Sequence, residues 1–174
     1  MSHSLSISYV KEMEQYLDLN IDILRGKVGG FCSRDEAFDL KKVLHYYTID
    51  VLGELAFGQS FGIQHADDES LIPPVMEHSL LAAATGAWPA MTRTLKKWLP
   101  KVPINKLQSL FRGRAACAAL ASQCVKRRMQ ALQDAKEGEE QRRDILTNLI
   151  LAKHPDTGER LTQADLETEA FGFM

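Results

Sequence analysis

Long apolar runs, an excess of charge of either sign and paired cysteines are all missing from these 174 residues. With no stretch of about 20 apolar residues, a transmembrane helix is not expected. The opening residues, Met1-Ser-His-Ser-Leu-Ser-Ile-Ser, carry no basic segment followed by an apolar run, so no secretory leader is expected. Twenty-one lysines and arginines stand against 23 aspartates and glutamates, a formal net charge of -2. That balance excludes an overall basic field, and with it nucleic acid as a partner. The three cysteines, Cys32, Cys117 and Cys124, are odd in number and form no CxxC pair. A disulfide framework is therefore not expected, and a reducing compartment fits better. The five histidines, His3, His45, His65, His78 and His154, show no metal-binding spacing such as HExxH. Gly26, Gly29 and Gly30 lie too close together, and after no strand, to form a phosphate-cradling loop.

What is present is helical periodicity. With 45% hydrophobic and 25% charged residues the chain has the balance of a folded globular protein, and apolar residues recur every three or four positions. The spacing predicts a helix over Ile7–Lys27, stopped by Gly29-Gly30. A second is predicted over Asp39–Phe57, with Leu40, Val43, Leu44, Tyr47, Val51 and Leu55 as its apolar stripe. The polar stretch 64–70 reads as a loop, and Leu71–Thr85 as a shorter helix led by Pro73 and Pro74. Three prolines within Trp88–Pro103 argue against a continuous helix there. Asn105 caps a long helix to about Ala135, on which Cys117 and Cys124 are two turns apart and read as small buried hydrophobes of one face. Residues 134–143 form a charged linker, Ile145–Lys153 a further helix, and His154-Pro-Asp-Thr-Gly158 a turn. Thr162 and Asp165 have the spacing of a capping box, with Leu161 and Leu166 as a hydrophobic staple. This last helix ends on Phe171, Phe173 and Met174 without a closing signal, so it is expected to be cut short, with those side chains unburied. The fold class is all-α, five to seven helices, as one partial domain over 1–174.

Two segments resemble the cytochrome P450 family. Tyr47-Thr-Ile-Asp50-Val-Leu-Gly-Glu-Leu-Ala56-Phe-Gly-Gln-Ser-Phe-Gly62 is similar to a helix-to-loop segment of its microsomal class, in which an aspartate lies in an apolar helix ending in Ala-Phe-Gly-x-Ser-Phe-Gly. Arg143-Asp-Ile-Leu-Thr-Asn-Leu149, a turn, and Leu161 to Phe173 resemble the family's Asp-Ile/Leu-Leu segment and the entry into its long central helix. Both occur in the family's order, in the style of fungal biosynthetic and detoxifying members. The resemblance implies the middle helices of a haem-thiolate monooxygenase. Such an enzyme inserts one oxygen atom from O2 into an organic substrate, here a secondary metabolite or xenobiotic, with electrons from an NADPH-dependent reductase.

By the same resemblance Met76, Leu80, Ala84, Trp88 and Met91 fall in a substrate-channel region. The Trp88–Trp98 stretch, with its lysines, either touches a membrane surface or supplies channel-facing or core aromatics. Location is expected to be cytoplasmic or associated with the endoplasmic reticulum. The residues that carry the chemistry are not found: no Phe-x-x-Gly-x-Arg-x-Cys loop and no Ala-Gly-x-Asp/Glu-Thr motif occur. The nearest imitation, Phe111-Arg-Gly-Arg-Ala-Ala-Cys117, has its arginine misplaced and lies in a helix. Glu139-x-x-Arg142 and Glu140-x-x-Arg143 are read as ordinary surface pairs in the linker. No catalytic, metal or cofactor-binding residue is therefore assigned, and no haem is expected to bind this chain alone. The competing reading is a non-enzymatic helical interaction protein using its exposed apolar faces. Ser60 formally completes a GxSxG elbow but follows a helix instead of a strand. His45 is expected at the surface, and Arg112, Arg114, Lys126, Arg127 and Arg128 as a solvated basic face.

Overall fold

The computed structural model describes residues 11, 13–87, 97–98, 101–135, 142, 144–153 and 158–174. Seven α-helices occur among them: α1 (Glu14–Ser33), α2 (Leu40–Phe57), α3 (Ile63–Ala66), α4 (Val75–Gly86), α5 (Asn105–Asp134), α6 (Ile145–Leu151) and α7 (Gln163–Gly172). A 3-10 turn, Glu69–Leu71, separates α3 from α4. The described residues contain no strand, only an isolated antiparallel bridge between Lys153 and Arg160. The all-α expectation holds.

Helix α1 runs through Gly29 and Gly30 instead of stopping there. Neither glycine has a positive φ. Each costs about 1 kcal/mol relative to alanine within a helix, and the stacking of Phe31 on Phe38, ring centroids 4.5 Å apart, favours keeping the last turn. The chain leaves α1 at Asp35, which adopts φ 49°. Of the predicted first turns, positions 7–10 and 12 lie outside the described residues.

Helix α2 begins where the sequence places it, with the Asp39 carboxylate accepting from the Lys42 N–H at 3.1 Å. It ends at Gly58, whose φ of 70° is the left-handed cap. The buried face differs from the predicted stripe: Val43, Tyr46, Ile49, Asp50, Gly53, Ala56 and Phe57 point inward, while Leu40 and Leu44 are 53% and 43% exposed. The helix is apolar around most of its circumference, so periodicity alone does not choose the side. Close contacts choose it. A Cβ on Gly53 would fall 2.5 Å from the Gln59 carbonyl oxygen, so this face fits only a bare backbone.

The stretch predicted as a loop from Gln64 is instead a pinned corner. Asp50, 1% exposed, accepts from the N–H groups of Ile63 (3.2 Å) and Gln64 (2.8 Å), the first residues of α3. A buried carboxylate thus does the work of an N-cap from another helix. Gln64 is itself buried and donates through Nε2 to Asn20 Oδ1 of α1 at 2.9 Å. One acid thereby joins α1, α2 and α3.

The helix predicted over Leu71–Thr85 starts only at Val75, after the separate 3-10 turn, and the one predicted over Ile145–Lys153 ends at Leu151. Pro74 occupies the N-cap of α4 instead of its first turn, and Ile104 caps α5, with Asn105 as its first helical residue. Thr162 and Asp165 form the predicted capping box. Leu166 is buried, but its staple partner Leu161 is 39% exposed.

The main core joins Ala56 and Phe57 of α2, Ala121, Cys124 and Val125 of α5, Leu146 and Leu149 of α6, and Leu166 and Ala170 of α7. Phe171, Phe173 and Met174 pack half-buried against this cluster, which corrects the expectation of an unburied apolar end. Phe173 meets Phe57 edge-on with centroids 6.4 Å apart, so the final residues close the core next to α2.

Replacing Asp50 with alanine strands two buried N–H groups, each costing about 1–3 kcal/mol. Urea unfolding of Asp50→Ala should show a loss of about 2–4 kcal/mol, and Asp50→Asn, which keeps one acceptor oxygen, a smaller one.

Candidate functional site

Helix α4 leaves a large apolar face exposed. Its inner face, with Leu81 and Thr85 buried, lies on α5, where Gly113 admits it: a Cβ there would stand 2.5 Å from Glu77 Cβ. On the opposite side Met76, Leu80 and Ala84 follow one another at intervals of four residues and share one exposed face. Met76 is 73% and Leu80 53% exposed. Trp88 and Met91, the other two substrate-channel expectations, lie outside the described residues. Trp98 is 63% exposed, with Lys101 Nζ 5.6 Å from its ring centre.

The inner side of α4 also reaches α7. The His78 ring meets Phe171 edge-on at 4.4 Å between centroids, and the Arg114 guanidinium of α5 lies 4.8 Å from the centre of the same Phe171 ring. Burial pushes the His78 pKa below its ordinary value, and the nearby Arg114 charge adds to that shift. Nothing local in the sequence announces this meeting, because each of the three residues comes from a different helix. His45, by contrast, is exposed as expected.

A second polar centre fixes α6 against α5 and α2. Asp144, 0% exposed, caps α6 by accepting from Thr147 N–H at 2.7 Å and from Thr147 Oγ1 at 2.9 Å. Arg128 pairs with the same carboxylate at 2.6 Å, while its Nε donates to Thr147 Oγ1 and its Nη2 to the Arg142 carbonyl. Burial raises the Asp144 pKa, with the Thr147 hydrogen bonds and the Arg128 charge acting against it. The carboxylate lies where a Cβ on Gly58 would be, 2.5 Å away, so the glycine that ends α2 also makes room for the pair.

Arg112, Lys126 and Arg127 are exposed as the solvated-face reading expects, but Arg128 is a buried anchor and Arg114 is half-buried. Arg142 pairs with Glu54 of α2 and covers the Tyr16 ring at 4.0 Å, so it links elements far apart in sequence instead of serving as a simple linker charge. Glu139, Glu140 and Arg143 lie outside the described residues.

The cysteines are placed as the sequence suggests. Cys117 and Cys124 are buried on one face of α5, and burial pushes both thiols above their ordinary pKa. Gln59 Nε2 donates to Cys124 Sγ at 3.6 Å. Cys32 is exposed in the last turn of α1. Ser60 is exposed between α2 and α3, its hydroxyl accepting from Gly62 N–H at 2.9 Å, a position without the strand that a nucleophile elbow needs. No helix among the described residues is long and apolar enough to cross a membrane.

Two measurements check this centre. Arg128→Met leaves the Asp144 charge buried and unpaired, so denaturant unfolding should show a loss of about 3–5 kcal/mol. A disulfide reagent should label Cys32 rapidly in the folded chain and reach Cys117 and Cys124 only after denaturation.

Comparison with known proteins agrees with this architecture. A family model described as Cytochrome P450 matches residues 2–174. Over 176 residues the chain is 25% identical to the cytochrome P450 monooxygenase fscF of Fusarium equiseti, covering 90% of this chain and 30% of that protein. It is 27% identical over 197 residues to the benzoate 4-monooxygenase bphA of Aspergillus niger, covering 98% of this chain and 36% of that one. A mammalian relative, thromboxane-A synthase of Macaca fascicularis, is 22% identical over 93% of the chain and 30% of its own length. The chain thus spans about a third of the length of these relatives. With a match that extends over nearly all of its residues, the helical chain belongs to the cytochrome P450 family.

Proposed function

We propose that residues 1–174 form a single partial domain, the helical, substrate-side portion of a haem-dependent monooxygenase, and that the reaction needs parts of such an enzyme beyond these residues. The observation that carries the reading is the open face of α4. Met76 and Leu80 are 73% and 53% exposed on a helix whose other side is fixed on α5. Apolar side chains held outward by a rigid support suit a small hydrophobic substrate. Met76, Leu80 and Ala84, continued by Trp88 and Met91, are the residues that would line that side. In proteins of this family a haem held by a thiolate supplies the oxygen chemistry, and a reductase supplies the electrons.

The thiols described here do not fit that role. Cys117 and Cys124 are 0% and 4% exposed, sit inside a helix whose N–H groups are spent on its own carbonyls, and are kept protonated by burial. Cys32 is in the last turn of α1, where a helix has free carbonyl oxygens and no spare N–H groups for a sulfur anion. The chain by itself is therefore proposed to hold no haem and to oxidise nothing. Association with the endoplasmic reticulum through the exposed Trp98 region is part of the same proposal. The alternative of a free-standing interaction protein loses one support, since Phe171, Phe173 and Met174 are packed on the core.

Expression with haem supplied, followed by a reduced carbon-monoxide difference spectrum, checks the proposal. The expected result is no thiolate-type Soret band from this chain. A band that survives mutation of Cys32 but not of Cys117 would overturn the assignment.

A further inference from the structure

We propose that Arg114 and His78 form a binding site for a small organic carboxylate where α4, α5 and α7 meet. The site is separate from the outward face of α4 and does not depend on haem.

Three observations support it. First, Arg114 is a half-buried cation that makes no ion pair with any described carboxylate, although Phe171 holds its guanidinium in place at 4.8 Å. The arginine fork is fixed by stacking, with its edge N–H groups left for a planar acceptor. Second, His78 is held against the edge of the same ring, and its Nδ1 is buried with no hydrogen-bond partner. A buried ring nitrogen without a partner is an unfavourable arrangement unless something completes it. Third, the acids near the junction have neighbours other than Arg114. Glu77 of α4 lies against Gly113, and Glu167 of α7 accepts from Gln163 at 2.8 Å and from Ser122 at 3.0 Å. No described carboxylate pairs with Arg114, which leaves that role to an external one.

The chemistry gives the ligand class. A guanidinium edge prefers a planar, two-oxygen anion, and the imidazole N–H adds a directed donor. Such an anion would also neutralise the Arg114 charge that now opposes protonation of His78. Bound carboxylate should therefore raise the His78 midpoint from below its ordinary value of 6.5. The charged or titratable groups nearest in sequence to the junction residues on these elements are Glu77 on α4, Arg112, Arg114 and Cys117 on α5, and Glu167 and Glu169 on α7.

Phenylacetate is a suitable probe, with phenylacetamide and inorganic phosphate as controls, read through the NMR signal of the His78 ring in the folded chain. The expected result is a saturable shift and an upward move of the midpoint with phenylacetate, neither of which phenylacetamide produces. Arg114→Gln should weaken binding about tenfold or more. Arg114→Lys, which keeps a cation over Phe171, should lose part of the affinity while preserving the fold seen by circular dichroism. Absence of phenylacetate binding to the folded chain would overturn the proposal. So would equal binding by Arg114→Gln, or equal response to the amide or to phosphate. None of these results bears on the monooxygenase reading, which the haem spectrum tests separately.

Discussion

The Asp144 carboxylate is the constraint on which most of the chain depends. It caps α6, holds Arg128 of α5, and occupies the space left by the missing side chain of Gly58 at the end of α2. A fully buried acid is costly unless it is paired and hydrogen-bonded. Here two Thr147 donors and one guanidinium meet that demand together. Three helices are thereby forced into one relative position, and the apolar cluster of Phe57, Val125, Leu146 and Leu166 closes around them. Burial of each such side chain contributes roughly 1.5–3 kcal/mol. That term is larger in sum than the ionic one, but it has no directional preference, whereas the ion pair fixes the register.

A second acid repeats the device from within α2. Asp50 organises α3 without belonging to it, by accepting from its first two N–H groups, and Gln64 relays the link to Asn20 of α1. Both acids lie in the two segments that resemble the cytochrome P450 family. Their role is to hold a scaffold rigid enough that α4, supported from beneath by α5, presents Met76, Leu80 and Ala84 outward.

The comparison of Gly29-Gly30 with Gly58 shows where sequence reading is sound. Both sites look like helix stops, yet only Gly58 takes a left-handed backbone and ends a helix. What separates them is the demand made by neighbours: Asp144 requires a bare Cα at Gly58, whereas nothing lies within 4 Å of a Cβ at Gly29. The same distinction applies to the basic residues of α5. Arg127 and Arg128 are indistinguishable in sequence, one exposed and the other an anchor, because a helix rotates each residue by about 100° and the partner sits on one side only.

The sequence by itself determined the all-α class, the capping box at Thr162, the two buried cysteines on one helix face, and the family, since each of these rests on local hydrogen-bonding preference, periodicity or motif. Tertiary structure alone decided which side of α2 is buried, that residues 63–66 form a pinned helical turn, that Arg128 and Arg142 serve as anchors, and that His78, Arg114 and Phe171 meet. These depend on contacts between residues far apart in the chain, and long-range contacts are fixed by shape and charge complementarity that no local pattern encodes.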